Sequence, residues 1–184
     1  MSIEIHTWTD QGQTLREFAK DARVLEIGAW KGHQAINMAQ VAIEVWAIDN
    51  FVNLWTDEKD IEQQFRNNVQ KYGVSDKIKL FVGESKDILN QIYDQCLEKH
   101  FRFDFIVVDG GHETPVVNQD SEWACKLIKP NGYIAWHDSD HPPVAAAIEE
   151  VKAKYPLTKV REDGMLHIYQ FRVKDMVSET SPKR

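Results

Sequence analysis

The sequence predicts an α/β fold: a doubly wound, mostly parallel sheet of seven strands closed by a C-terminal antiparallel hairpin. Three observations carry this. Short apolar runs and helical stripes alternate five times along the chain, as repeated strand–helix–strand units with right-handed crossovers require. The run Phe103–Val108 is apolar at five of six positions without alternation, the mark of a strand covered on both faces. The last two strand-like runs are joined by Glu162-Asp163-Gly164, a hairpin signal.

The elements follow in order. Residues 1–11 have no clear period and read as a lid or a short helix. Leu15, Phe18 and Ala19 recur at helical spacing within residues 12–20. Residues 24–28 form a strand broken by glycine, residues 33–41 a helix with Ala35, Ile36, Met38 and Ala39 on one stripe, and residues 44–49 a second strand ending on a carboxylate. A loop over 50–56 carries Phe51, Leu54 and Trp55. A polar helix follows over 57–72, stopped by Gly73. Residues 78–82 give the third strand, and Ser85 is placed to cap a helix running to Glu98. After the fourth strand, Thr114 and Pro115 supply a cap and a first-turn proline for a helix to Leu127. Pro130-Asn131-Gly132 reads as a turn, residues 133–137 as the fifth strand, and Pro142-Pro143 as the start of a helix to Lys154. The final strands fall near 157–162 and 165–172. The reading is therefore one domain over 1–173 and a polar, disordered tail over 174–184.

The 184 residues are 42% hydrophobic and 28% charged, an ordinary composition for a chain that folds around one core. A net charge of -7 argues against a nucleic-acid partner, which calls for a basic stripe. No apolar run approaches the roughly 18 residues that span a bilayer, and the N-terminus lacks the pattern of a signal peptide. Cys96 and Cys125 lie far apart in helical segments and read as reduced core residues. A cytoplasmic protein with no membrane partner fits these observations.

Function-bearing residues collect at the carboxyl ends of the strands, where open α/β sheets place their ligands. The first strand runs into Glu26-Ile27-Gly28-Ala29-Trp30-Lys31-Gly32, and Asp49 ends the second. Glycines let backbone turn tightly and approach a ligand closely, and a carboxylate at a second-strand end can accept both hydroxyls of a ribose. The G-x-G-x-x-G spacing that seats a pyrophosphate is absent, so a nucleoside without a diphosphate is the better ligand. The fourth strand ends in Asp109-Gly110-Gly111-His112 and the fifth in His137-Asp138. Neighbouring strands lie about 4.8 Å apart, so Asp109 and Asp138 converge and suit a hard divalent cation, with Mg²⁺ taking substrate oxygens and waters as its remaining ligands. His112, with an ordinary pKa near 6.5, is suited to accept a hydroxyl proton; otherwise it bonds the start of the next helix. His137 packs at its strand end or joins this edge. Asp140 reads as a helix cap and Asp120 as structural, or as an orienting group for His112 or a ligand. Trp30, Trp55 and Trp136 are stacking candidates or core.

Val24–Gly32 together with Asp49 resembles the binding motif of class I S-adenosylmethionine-dependent methyltransferases, which have a Rossmann-like fold. The resemblance implies that the glycine loop, with Glu26, Gly28 and Gly32, runs under the methionine end of the cofactor and that Asp49 holds its ribose. It also implies that Gly83-Glu84-Ser85 is the adenine-side loop, with Glu84 or Ser85 in contact; the plain alternative is a turn and a helix cap. Asp109-Gly110-Gly111-His112, Asp120 and Trp136-His137-Asp138 are similar to the macrocin-type sugar O-methyltransferases and, more distantly, the catechol O-methyltransferases. That likeness covers residues 23–141 and implies Asp109 and Asp138 as metal ligands and His112 as general base. The family commonly sets a second acidic or amide group beside Asp138, where this chain has His137 and Ser139.

The expectation is an S-adenosylmethionine-dependent O-methyltransferase with a small hydroxylated acceptor, a sugar or diol. Little chain is left to build an acceptor pocket, which favours a small acceptor or a pocket completed in a homodimer. Two other readings stand beside it. One is a metal-dependent hydrolase or oxygenase using Asp109, His112, His137, Asp138 and His141, which leaves Glu26, Gly28 and Asp49 without a task. The other is a non-catalytic nucleoside binder.

Overall fold

A computed structural model of the chain describes residues 3–5, 10–52 and 56–172. The expected tail over 174–184, Trp55 and most of the expected lid over 1–11 lie outside the described residues.

The elements are α1 (Gly12–Ala19), β1 (Arg23–Ile27), α2 (His33–Ala39), β2 (Glu44–Asp49), α3 (Ile61–Lys71), β3 (Ile78–Val82), α4 (Ser85–Glu98), β4 (Phe103–Val108), α5 (Thr114–Leu127), β5 (Ile128–Trp136), α6 (Pro142–Lys154), β6 (Leu157–Asp163) and β7 (Leu166–Phe171). They build one seven-stranded sheet in the order β3-β2-β1-β4-β5-β7-β6. The first five strands pair in parallel, and β7 runs antiparallel to both β5 and β6. The expected doubly wound sheet with its closing hairpin is what forms.

Period-two alternation in the strands feeds two apolar layers. Leu25, Ile27, Ile106 and Val108 point to one side, where α4, α5 and α6 cover them; Val24, Val45, Phe105 and Val107 point to the other, under α1, α2 and α3. Both cysteines are buried and free. Trp136 is wholly buried and its indole N–H donates to Ser121 Oγ at 2.8 Å, so it is core and not a stacking surface. Among the described residues no helix is long and apolar enough to cross a membrane.

Several boundaries differ from the sequence reading for local reasons. Pro130-Asn131-Gly132 is not a turn: β5 runs through it, pairing Ile128 with Phe103 before the register shifts between Phe103 and Phe105. Asn131 takes φ 62°, and a proline without an N–H is tolerated at such an irregularity. The polar helix starts at Ile61 instead of residue 57, because Asp60 sits in the left-handed region at φ 57°. Ser85 and Thr114 are the first residues of α4 and α5, while Glu84 and Glu113 occupy the cap positions without a side-chain cap bond. His141, not Asp140, precedes α6 in the same manner.

Candidate active site

The parallel ladder continues past the strand ends and sets the candidate residues side by side. Gly28 N–H donates to Ile48 O at 2.9 Å, Gly83 N–H to Asp49 O at 2.9 Å, Asp109 N–H to Ile27 O at 2.8 Å and His137 N–H to Val108 O at 3.1 Å. One cavity of about 1020 Å³ opens across these ends, where a doubly wound sheet presents its crevice.

At Gly28, φ is 91° and an added Cβ would stand 2.1 Å from the Asp109 carbonyl oxygen, so only glycine lets this loop pass the end of β4. Glu26 lies in the cavity floor, 1% exposed. Burial, and then the negative charges of Asp109 and Asp49, raise its carboxyl well above the usual range. Its Oε2 is buried with no hydrogen-bond partner. Asp49 lines the cavity and also pins the glycine loop: Oδ2 accepts from Ala29 N–H at 2.8 Å and Trp30 N–H at 2.7 Å, and Oδ1 from Phe51 N–H at 2.6 Å. A carboxylate has about four lone-pair positions, so roughly one is left for a ligand. The strand-end cap and the ligand contact are thus not exclusive. Burial raises this carboxyl too, against the lowering effect of the three amides.

Gly32 is brought elsewhere. It caps α2 at φ 85° and does not line the cavity; a Cβ there would meet the Phe65 ring at 2.9 Å. Its need for glycine comes from backbone sign and packing. Trp30 does line the cavity, with the Lys31 ammonium 4.4 Å from its ring centroid; Lys31 is itself buried and paired with Glu58. Glu84 and Ser85 line the opposite end of the cavity. Glu84 Oε1 accepts from Asn50 Nδ2 at 3.0 Å, and Ser85 Oγ donates to Asp120 Oδ1 at 2.7 Å.

The acid–histidine edge forms a connected network. Gln34 Nε2 donates to Asp109 Oδ2 at 2.7 Å, and His137 Nδ1 lies 3.2 Å from Asp109 Oδ1 and 3.0 Å from Asp138 Oδ2. His112 Nε2 stands 3.1 Å from that same Asp138 oxygen. Gln11 Oε1 faces His137 Nε2 at 3.3 Å. With acceptors at both ring nitrogens, His137 is an imidazolium. Burial opposes the charge, but the bonds to Asp109 and Asp138 outweigh it and the group is pushed up to about 10. The same two histidines, His112 first, hold the Asp138 carboxyl well below the usual carboxylate range. The bond to Asp138 holds His112 above its ordinary value, against burial.

Asp109, His137 and Asp138 each offer a ligand atom within 4.8 Å of the others. The expected pair is thus brought together, and His137 is the third member. Two carboxylate oxygens and one imidazole fit a divalent cation by donor type, provided the imidazole gives up its proton. Ser139 does not contribute, since its hydroxyl turns back to Trp136 O at 2.8 Å. Gln34, which holds Asp109, is not found by a motif search; its only signal is its place off the apolar stripe of α2.

Comparison with known proteins supplies the remaining findings. A family described as "Methyltransferase domain" matches residues 25–139. A caffeoyl-CoA O-methyltransferase of Populus kitakamiensis is 30% identical over 158 residues, covering 83% of this chain and 63% of the relative. The chain therefore spans less than two thirds of that relative's length. Among solved structures, the O-methyltransferase from Bacillus cereus in complex with SAH superposes with TM-score 0.72 at 22% identity, covering 93% of this chain and 84% of the other. The O-methyltransferase TomG of Streptomyces achromogenes, in complex with SAM, gives TM-score 0.68 at 20% identity, with 89% and 80% covered. At these identities the likeness is one of fold.

Proposed function

The chain belongs to the methyltransferase-domain family, and from that premise we propose that it moves the methyl group of S-adenosylmethionine to a hydroxyl oxygen of a small acceptor, a sugar or diol, assisted by a divalent cation such as Mg²⁺. The observation that carries the reading is the single cavity that joins Glu26, Gly28 and Asp49 to Asp109, His112 and Asp138. The oxygen acceptor follows the O-methyltransferase relative.

The orphaned Oε2 of Glu26 and the remaining lone pair of Asp49 are acceptors awaiting donors. An ammonium and a ribose hydroxyl supply such donors, so the residues present fit a nucleoside with an amino-acid arm. Glu84 and Ser85 face the base. Gly32 serves the loop from behind, through its turn. At the other end, a cation on Asp109 and Asp138, with His137 beside them, would lend Lewis acidity to a bound hydroxyl. His112 takes the hydroxyl proton, which requires it to be neutral first. Because its raised pKa rests on the bond to Asp138, engaging that carboxylate elsewhere lowers the pKa and frees the base. Methyl transfer asks little else of the protein than alignment of donor and acceptor. A homodimer that completes the acceptor side, and a cytoplasmic setting in keeping with two free cysteines, belong to the same reading.

The test is release of S-adenosylhomocysteine in the presence of Mg²⁺ and a panel of sugars and diols. His112→Ala is expected to slow turnover by about 10²–10⁴-fold while nucleoside affinity is retained. Equal rates for the variant and the wild type would remove His112 from the chemistry. No turnover on any acceptor, with tight nucleoside binding and no effect of His112→Ala on it, would favour a binding protein.

A further inference from the structure

Behind the acid–histidine edge stands a residue with no part in the chemistry above. Gln11 occupies the N-cap position of α1, where its backbone carbonyl accepts from Leu15 N–H at 2.9 Å. Its side chain reaches the end of β5, with Oε1 facing His137 Nε2 at 3.3 Å. The amide nitrogen lies against the β6–β7 turn, 3.7 Å from the point where Gly164 would carry a Cβ. An amide oxygen only accepts, so it holds a proton on Nε2. The nitrogen that His137 has left to give is Nδ1, on the side of Asp109 and Asp138.

The spacing around Nδ1 is that of a coordination edge. It lies 3.2 Å from Asp109 Oδ1 and 3.0 Å from Asp138 Oδ2. Two ligands held about 2.1 Å from an ion and at right angles to each other stand about 3.0 Å apart. An ion in this space is therefore met by all three groups with little movement. His137 is 8% exposed and its backbone N–H is tied to Val108 O at 3.1 Å, so the ring is held where it stands. The third protein donor is thus nitrogen and not oxygen. Imidazole nitrogen suits first-row transition ions, whereas Mg²⁺ favours oxygen and keeps its waters.

We propose that His137 Nδ1 is a metal ligand and that Gln11 is the positioning residue that turns its lone pair on to the ion, so that the site prefers a first-row transition ion over Mg²⁺. A histidine ligand whose other ring N–H is held by an acceptor is fixed in tautomer and in ring orientation. Gln11 supplies that acceptor from α1, an element that offers no ligand of its own. The inference rests on the cation reading above and narrows the ion that the site takes.

Two measurements on the full chain test it. Pulsed paramagnetic resonance of bound Mn²⁺ should show coupling to a directly bonded nitrogen nucleus in the wild type, lost in His137→Asp. Calorimetric titration should give tighter binding of Co²⁺ than of Mg²⁺. In His137→Asp, with oxygen donors alone, that ratio should fall by about tenfold or more. Gln11→Ala should weaken Co²⁺ binding by about 10–100-fold, and Gln11→Glu, which keeps an acceptor for the Nε2 proton, should restore it. Mn²⁺ bound by the wild type without nitrogen coupling overturns the inference alone, leaves a carboxylate-held cation standing, and needs no variant to fold. A Co²⁺ to Mg²⁺ ratio that His137→Asp leaves unchanged does the same. Equal Co²⁺ affinity in Gln11→Ala and the wild type strikes out the positioning role. A wild type that takes up none of Mn²⁺, Co²⁺ and Mg²⁺ overturns the cation reading, and this inference with it.

Discussion

Asp120 sits in the cavity wall at a thermodynamic disadvantage that pH can expose. Burial pushes its carboxyl from 3.8 up to about 6; the Ser85 hydrogen bond works against this, and the nearby charge of Glu84 adds to it. Below about pH 3 the group is largely protonated whether the chain is folded or not. As pH rises through about 3 to 6 the unfolded chain ionises first, so stability is lost across that window, by about 3 kcal/mol at neutral pH. Asp120→Asn keeps an acceptor for Ser85 and cannot ionise. Thermal unfolding of the ligand-free protein should show the variant more stable at pH 7.5, by on the order of 5 °C. The gain should shrink towards zero near about pH 3; a gain that does not vary with pH would locate the effect in packing. The sequence leaves Asp120 open as structural or orienting because burial, which gives it both properties, is set by where α5 docks. Asp109, His112 and Asp138 are legible because each follows a strand end. Gln34 is not, since only the docking of α2 points its amide at Asp109.

The β4–β5 pair shows how an element fixes the site. Its register shifts between Phe103 and Phe105, so these two phenylalanines, two residues apart, face opposite layers. Beyond the shift the pairing is regular to Val108 and Trp136, which delivers Asp109 next to His137. A slip of one residue would turn His137 to the other face and dissolve the network. Gly132 sits at this irregularity: a Cβ would stand 2.8 Å from the Ile128 side chain and 3.0 Å from the Asp104 carbonyl oxygen. Gly132→Ala is therefore expected to destabilise by about 1–3 kcal/mol, as overpacking does. In urea this appears as a lower midpoint with an unchanged slope. An unaltered midpoint would mean that β5 yields at this point and does not hold the register. The strand and helix series was readable from periodicity, while this stretch was read as a turn because Pro130, Asn131 and Gly132 are turn formers. Nothing local to the three residues reports that Phe103 is waiting to pair with Ile128. The late start of α3 has a similar origin, in the left-handed backbone of Asp60.

On the scale of the whole molecule, the two halves of the cavity are linked through the sheet and not through flexible chain. Asp49 pins the glycine loop by Ala29 and Trp30, Gly28 lies against the Asp109 carbonyl, and Asp109 continues to His137 and Asp138. Negative charge is concentrated along this line: beyond the larger effect of burial, the charges of Asp109 and Asp49 raise the Glu26 carboxyl and that of Asp109 adds to the rise at Asp49. A cationic ligand relieves that repulsion, so the sulfonium cofactor and a divalent cation are expected to stabilise the folded chain as well as bind it. S-adenosylmethionine at about 100 times its dissociation constant adds roughly 2.7 kcal/mol, on the order of 5–11 °C for a chain of this size. Mg²⁺ should enlarge the shift, because a cation held by Asp109 and Asp138 would offset their charge in place of the His137 proton. A shift with the nucleoside that Mg²⁺ leaves unchanged would keep the cofactor half of the cavity and strip the cation role from those two carboxylates. A shift with the metal alone would mean that the carboxylate–histidine cluster works without a nucleoside, and the hydrolase reading would take precedence.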